Sequence, residues 1–121
     1  MGSERAAMGL QISLRQVADV VVVDLQGRAT IGRANDVFNK QLRQLIDDGT
    51  EKILLNLTDV TQLDSSSIST IVRAFVSLQH RGASLKLLRP RGNVRLVLET
   101  LHLLDAIPSA EDEAQGIASF N

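Results

Sequence analysis

Apolar positions change their spacing several times along the chain, and each change marks an element. Leu10, Ile12 and Leu14 alternate with Gln11, Ser13 and Arg15, the period of a half-exposed strand. Ala18-Asp19 reads as a turn. Val20-Val21-Val22-Val23-Asp24-Leu25 is a β-branched run suited to a strand covered on both faces, and Gly27 ends it. The two strands are expected to form an antiparallel hairpin. From Gly32 to Asp48 the period lengthens: Ala34, Val37, Phe38, Gln41, Leu42, Leu45 and Ile46 follow three-four spacing, with Arg33, Asn39, Lys40, Arg43 and Gln44 on the other face. That is an amphipathic helix, ended by Asp48-Gly49.

Lys52 to Leu57 reads as a central buried strand, followed by a short polar turn. Ile68, Ile71, Val72, Phe75 and Leu78 make the inner stripe of a helix over Ser65–His80, stopped by Arg81-Gly82. Ser84 to Leu88 is the next strand and Pro90-Arg91-Gly92-Asn93 a turn. Val94, Val97, Leu98 and Leu101 mark a third helix with Leu103 and Leu104 near its end. Ile107 suits a short last strand. Ala110 to Ser119 suits a final helix with Glu111-Asp112-Glu113 in its first turn, where acidic residues complement the helix dipole. Strands that alternate with helices imply an α/β fold, with a mixed, mostly parallel sheet of four to five strands, an N-terminal antiparallel hairpin and about four helices. Residues 1–9 read as a flexible N-terminal segment and 10–121 as a single domain.

Length and composition change this picture little. A chain of 121 residues suits one domain with a core of its own, and 44% hydrophobic with 22% charged residues is ordinary for a globule. The three aromatics, Phe38, Phe75 and Phe120, stand at apolar positions, so the core must be aliphatic. No cysteine is present, which removes disulfides and thiolate metal sites and fits a cytoplasmic location. The first nine residues have no apolar core, so no signal peptide is expected, and no run approaches the ~20 apolar residues of a membrane span. A net charge of −1 gives no global attraction to nucleic acid or anionic lipid.

Enzyme chemistry finds little support. There is no Gly-x-Ser-x-Gly elbow, and His80 and His102 each lie near a helix end, where an imidazole suits the dipole. Two histidines without a spaced carboxylate cluster make no metal site, so no cofactor is expected. Gly27 and Gly32 lack the Lys-Ser/Thr of a phosphate loop and read as a strand-to-helix turn. Lys86, Arg89, Arg91 and Arg95 form the one basic cluster, either a solvated turn or a contact for an anion, a nucleotide or an acidic partner, with no exposed aromatics to favour nucleic acid. Asn56 and Asp59 are expected to bond the backbone of the loop that follows.

The candidate site is Asp64-Ser65-Ser66-Ser67-Ile68-Ser69. Small hydroxyls and a carboxylate at a helix start satisfy orphan amides, worth ~1 kcal/mol. The same pole is positive and tolerates an anion.

Three places, in this order and spacing, resemble the STAS domain family of bacterial anti-sigma-factor antagonists and sulfate-transporter tails: Val22-Val23-Asp24-Leu25-Gln26-Gly27, Ile53 through Ser69, and Gly82-Ala83-Ser84-Leu85-Lys86-Leu87 followed by a helix with Val94 and Leu98. The resemblance runs from about residue 10 to 119 and implies the STAS fold. In that family the serine directly after the motif aspartate is the phosphoacceptor of a partner kinase, and Ser65 matches it, with Asp64 before it. Ser67 and Ser69 stand where the family has glycines. Thr30 stands where it often has an acidic residue, three positions after the Leu-x-Gly glycine. The resemblance thus implies a non-catalytic anti-sigma-factor antagonist in a partner-switching circuit, bound by an anti-sigma kinase, released by phosphate on Ser65 and reset by a serine phosphatase. Asp64, Ser66, Ser67, Ser69 and Arg73, with Thr30 and Ile31 on the neighbouring loop, are the expected partner-binding residues, and Thr70 is a further outward candidate. Two alternatives stay open: a STAS scaffold or transporter regulator without a switch, and a small-ligand binder. A homodimer also stays open.

Overall fold

The computed structural model describes residues 9–29 and 33–120. Within them the chain forms β1 (Leu10–Val17), β2 (Val20–Ala29), α1 (Arg33–Asp47), β3 (Lys52–Leu63), α2 (Ser65–His80), β4 (Ser84–Leu88), α3 (Gly92–Thr100), α4 (Leu103–Ala106), β5 (Ser109–Ala110) and α5 (Glu113–Ala118). The strands make one sheet in the order β1-β2-β3-β4-β5. The β1–β2 pair is antiparallel and the other pairs are parallel, as the hairpin and the strand-helix alternation predict.

The two sides of the sheet are unequal. On the front, Val23, Leu25, Leu55, Leu57, Leu85 and Leu87 meet Phe38 and Leu42 of α1, Ile71 and Leu78 of α2, and Val94 and Leu98 of α3. On the back, Val20, Val22, Leu54 and Leu88 form a small separate cluster, covered by Val17, Ile117 and Phe120. Gly116 lets α5 lie close here: a Cβ added to it would meet Leu54 Cδ2 at 3.3 Å. Each buried Leu, Ile or Phe contributes roughly 1.5–3 kcal/mol by leaving water, so the front side supplies most of the stability.

Several boundaries depart from expectation, beginning with β2, which continues past Gly27 to Ala29. β3 runs to Leu63, through residues read as a polar turn. Its buried positions there are Leu57, Val60 and Leu63, because the pairing with β2 shifts between Asp24 and Gln26 and again between Gly27 and Arg28, which destroys the two-residue period. Gly27 sits at the second shift with φ +108°, and an added Cβ would collide with the Gly9 carbonyl. The turn at Pro90 is short, and α3 already starts at Gly92. Leu103 and Leu104 belong to a separate helix, since His102 takes a left-handed conformation (φ 60°) that breaks the axis. Ile107 is buried just ahead of β5, and Asp112 caps α5 by accepting from Gln115 N at 3.2 Å, leaving only Glu113 of the acidic trio in the first turn.

Candidate functional site

Parallel pairing brings the ends of β2 and β3 side by side, with Ala29 opposite Leu63. The chain then turns at Asp64, whose extended backbone (φ −103°, ψ −179°) makes it the N-cap of α2. One carboxylate oxygen accepts from Ser67 N at 3.1 Å and from the Ser66 hydroxyl at 2.7 Å. This satisfies an amide that the helix cannot pair internally. Asp64 N in turn donates to Ala29 O at 3.3 Å, tying the cap to the end of β2.

The serines of the first turn face different ways. Ser65 is exposed. Ser66 is half-buried and its hydroxyl is committed to Asp64. Ser67 is fully buried; its hydroxyl donates to Ala29 O at 2.6 Å and lies 3.4 Å from Asn35 Oδ1. Thr70, expected to point outward, is also buried, and its hydroxyl lies 3.1 Å from both Asn35 Oδ1 and Ser66 O. The reason is rotational. Steps of three and four along a helix keep one face, so Ser67, Thr70 and Ala74 follow Ile71 inward, while Ser65, Ser69 and Arg73 share the outer face. The expected partner role of the Ser67 side chain therefore gives way to a structural one. Among the described residues every buried polar side-chain atom has a partner.

Asn35 of α1 was not singled out in the sequence, although it stands in the polar network between α1 and α2. Its place beside the inner stripe Ala34-Val37-Phe38 was the available signal. Thr30 and Ile31 lie outside the described residues. Arg73 is exposed two turns after Ser65, and below it Val72, Ile68, Leu101 and Leu103 line an open apolar patch with Ser69. The α2 N-terminus has no acidic residue inside its first turn, so its positive pole is opposed only by the cap carboxylate.

The other candidate groups find structural work. Lys86 donates to Ser119 O at 2.7 Å and lies 4.9 Å over the Phe120 ring, Arg89 donates to Glu111 O at 2.8 Å, and Arg95 pairs with Glu99 and Glu111 at 3.1 Å. Three members of the basic cluster thus hold the C-terminal segment to the domain. On the back face Arg15 bridges Asp24 and Glu113. Hydrogen bonding to Glu113, then to Asp24, raises the guanidinium pKa, and Arg15 holds the Glu113 carboxyl below its ordinary value. For Asp24, burial disfavours the charge, but the Arg15 and Asn56 hydrogen bonds outweigh it and the pKa falls. Asn56 also accepts from Thr58 N at 3.1 Å, but Thr58 lies within β3 and not in a following loop, and Asp59 is itself a strand residue opposite Gln26. His102 lies 3.3 Å from Asp105, and His80 ends α2 at the surface. Among the described residues no group of three or more His, Cys, Asp or Glu is placed to hold a metal, and no helix is long and apolar enough to cross a membrane.

Comparison with known proteins accounts for this geometry. The family model of the STAS domain matches residues 11–116. The chain belongs to the STAS domain family. A Thermotoga neapolitana relative named "Putative anti-sigma factor antagonist TM1081 homolog" is 33% identical over 107 residues, covering 83% of this chain and 94% of the relative. Two solved structures share the STAS fold. The crystal structure of TM1081 from Thermotoga maritima superimposes with a TM-score of 0.81 at 24% identity, over 90% of this chain and 93% of that one. Bacillus SpoIIAA in its phosphorylated form gives 0.70 at 21% identity, over 87% and 96%. Family membership and the mixed five-stranded sheet therefore agree with the resemblance read from the residues.

Proposed function

We propose that this STAS protein is a cytoplasmic anti-sigma-factor antagonist that binds an anti-sigma kinase when Ser65 is bare and lets go when Ser65 carries phosphate. The single observation that carries the reading is the exposure of Ser65 beside a capped, positive helix end, while Ser67 is enclosed and the Ser66 hydroxyl is engaged. The curated relative's name and the phosphorylated form of SpoIIAA support it.

The energetics favour a switch in docking over a switch in folding. Phosphate adds roughly −1.5 to −2 charges. The helix pole offsets this by ~0.3–2 kcal/mol, so the domain stays folded. Against a partner's like charge the cost is several kcal/mol. Each ~1.4 kcal/mol is a factor of ten, so affinity falls about 100-fold or more. Asp64 adds repulsion in the modified form. Ser66, Ser69 and Arg73, with Thr30 and Ile31, complete the docking face, and Ser67 holds it up from inside. The protein turns over nothing itself; ATP is the kinase's cofactor, and a serine phosphatase resets the system.

Incubation with an anti-sigma kinase of the source organism and ATP, followed by mass spectrometry, tests the proposal. Label on Ser65 that Ser65→Ala removes, with release of the kinase on labelling, supports it. Label elsewhere, or none in a complex that nonetheless forms, refutes the switch.

A further inference from the structure

We propose that the groove between α1 and α2 is a second docking surface, one that takes an acidic segment of a protein partner. Arg43, Ile46, Asp47, Ser77, His80 and Arg81 line its lower part, and Arg73 with Leu42 and Ala74 continue it upward. The charge is one-sided: three guanidinium groups face a single carboxylate, Asp47. Arg43 projects from one wall and Arg73 from the other, both exposed, and neither has a carboxylate partner among the described residues. Arg81 closes the end by donating Nη1 to Ile46 O at 2.6 Å, which fixes its guanidinium and leaves other N–H groups facing outward.

This differs from the basic cluster near Arg89, where Lys86, Arg89 and Arg95 are used up within the chain. Uncommitted arginines on both walls fit carboxylates, which guanidinium groups bind bidentately. The floor of Ile46 and Ala74 suits the apolar side chains of such a segment. Nucleic acid fits poorly, because no Phe, Tyr or Trp lines the groove for stacking and Asp47 opposes phosphate. The groove's lower end lies roughly 22 Å along α2 from Ser65, at ~1.5 Å per residue. It can therefore be filled while the Ser65 end is engaged or phosphorylated, and the inference stands apart from the proposed switch. Arg73 borders both surfaces, so Arg43 is the residue to test.

The probe is a fluorescein-labelled peptide of Glu-Ala-Leu-Glu repeats, titrated against the intact protein in low salt, with a Gln-for-Glu peptide as control. Saturable binding of the acidic peptide, lost by about tenfold or more in Arg43→Glu and unchanged in Arg91→Glu, is the expected result. Amide shifts should map to α1 and α2 near Arg43 and Arg81, and Ser65→Glu should leave them in place. Circular dichroism confirms that Arg43→Glu is folded, and Arg43→Gln gives an intermediate loss. Binding that Arg43→Glu and Arg91→Glu weaken equally, shifts centred elsewhere, full competition by inorganic phosphate, tighter binding of an oligonucleotide through Arg43, or no saturable binding in low salt would each overturn it.

Discussion

The Ser67 hydroxyl reaches the Ala29 carbonyl at 2.6 Å, so the first turn of α2 is bonded to the last residue of β2. Ala29 O also accepts from Asp64 N at 3.3 Å, and removing the hydroxyl does not orphan it. Ser67→Ala should therefore cost only the bond itself, ~1 kcal/mol, seen as a lower urea midpoint at unchanged slope. Ser67→Val should cost more, ~1–3 kcal/mol, because the site is already filled. A Ser67→Ala protein as stable as the parent would show that this bond adds nothing.

Asp64 separates capping from charge. Asp64→Ala removes the acceptor used by Ser67 N and the Ser66 hydroxyl and should destabilise by about 1 kcal/mol. Asp64→Asn keeps an acceptor oxygen and should be near neutral in stability. If the carboxylate also repels a partner once Ser65 is phosphorylated, Asp64→Asn should release the kinase less completely. Calorimetric titration of phosphorylated Asp64→Asn against the parent measures that difference.

Gly27→Ala should be among the more damaging single-methyl additions. The position has φ +108°, and the new Cβ would strike the Gly9 carbonyl, which accepts from Arg28 N at 2.7 Å. Strain of this kind costs ~1–3 kcal/mol. Thermal unfolding should report the loss, and the Arg28 amide should exchange faster with deuterium. Normal protection at Arg28 would show that the strands absorb the methyl.

The Arg15–Glu113 pair should give a pH-dependent contribution. Arg15 holds the folded-state pKa of Glu113 below its unfolded value, so the pair stabilises above the ordinary carboxylate range and loses this as pH falls through the lowered value. Asp24 moves the same way. Both partners of the pair are 39% exposed, so solvent screening limits it to ~0.2–1 kcal/mol. Glu113→Gln should be less stable than the parent at neutral pH by that amount, and the two denaturation midpoints should converge in acid once the pH has fallen through the lowered Glu113 value. A gap that persists in strong acid would place the effect in packing.

Much of the architecture was legible because apolar spacing is local. The bounds Ser65–His80 and Ser84–Leu88 follow from Ile68-Ile71-Phe75-Leu78 and from Leu85-Leu87-Leu88. The end of β3 was not legible, since the shifts against β2 bury Leu57, Val60 and Leu63 at a spacing no strand template contains. Nor was the break at His102, whose left-handed backbone carries no glycine to announce it. At the site, Ser65 and its cap followed from composition and from the resemblance. The inward turn of Ser67 and Thr70 did not, because small hydroxyls carry almost no hydrophobic signal. Their burial depends on Asn35 and Ala29, more than thirty residues away. The Arg15–Glu113 contact joins residues 98 positions apart, and only the folded chain brings them together.

The roof over Val20, Val22, Leu54 and Leu88 is Val17 of β1 with Ile117 and Phe120 of the C-terminal segment, which Lys86, Arg15, Arg89 and Arg95 clasp. Opening it uncovers four residues and leaves the main core shut. Loss of the C-terminal segment should therefore expose the small back cluster first, while the front core beneath the Ser65 helix stays buried.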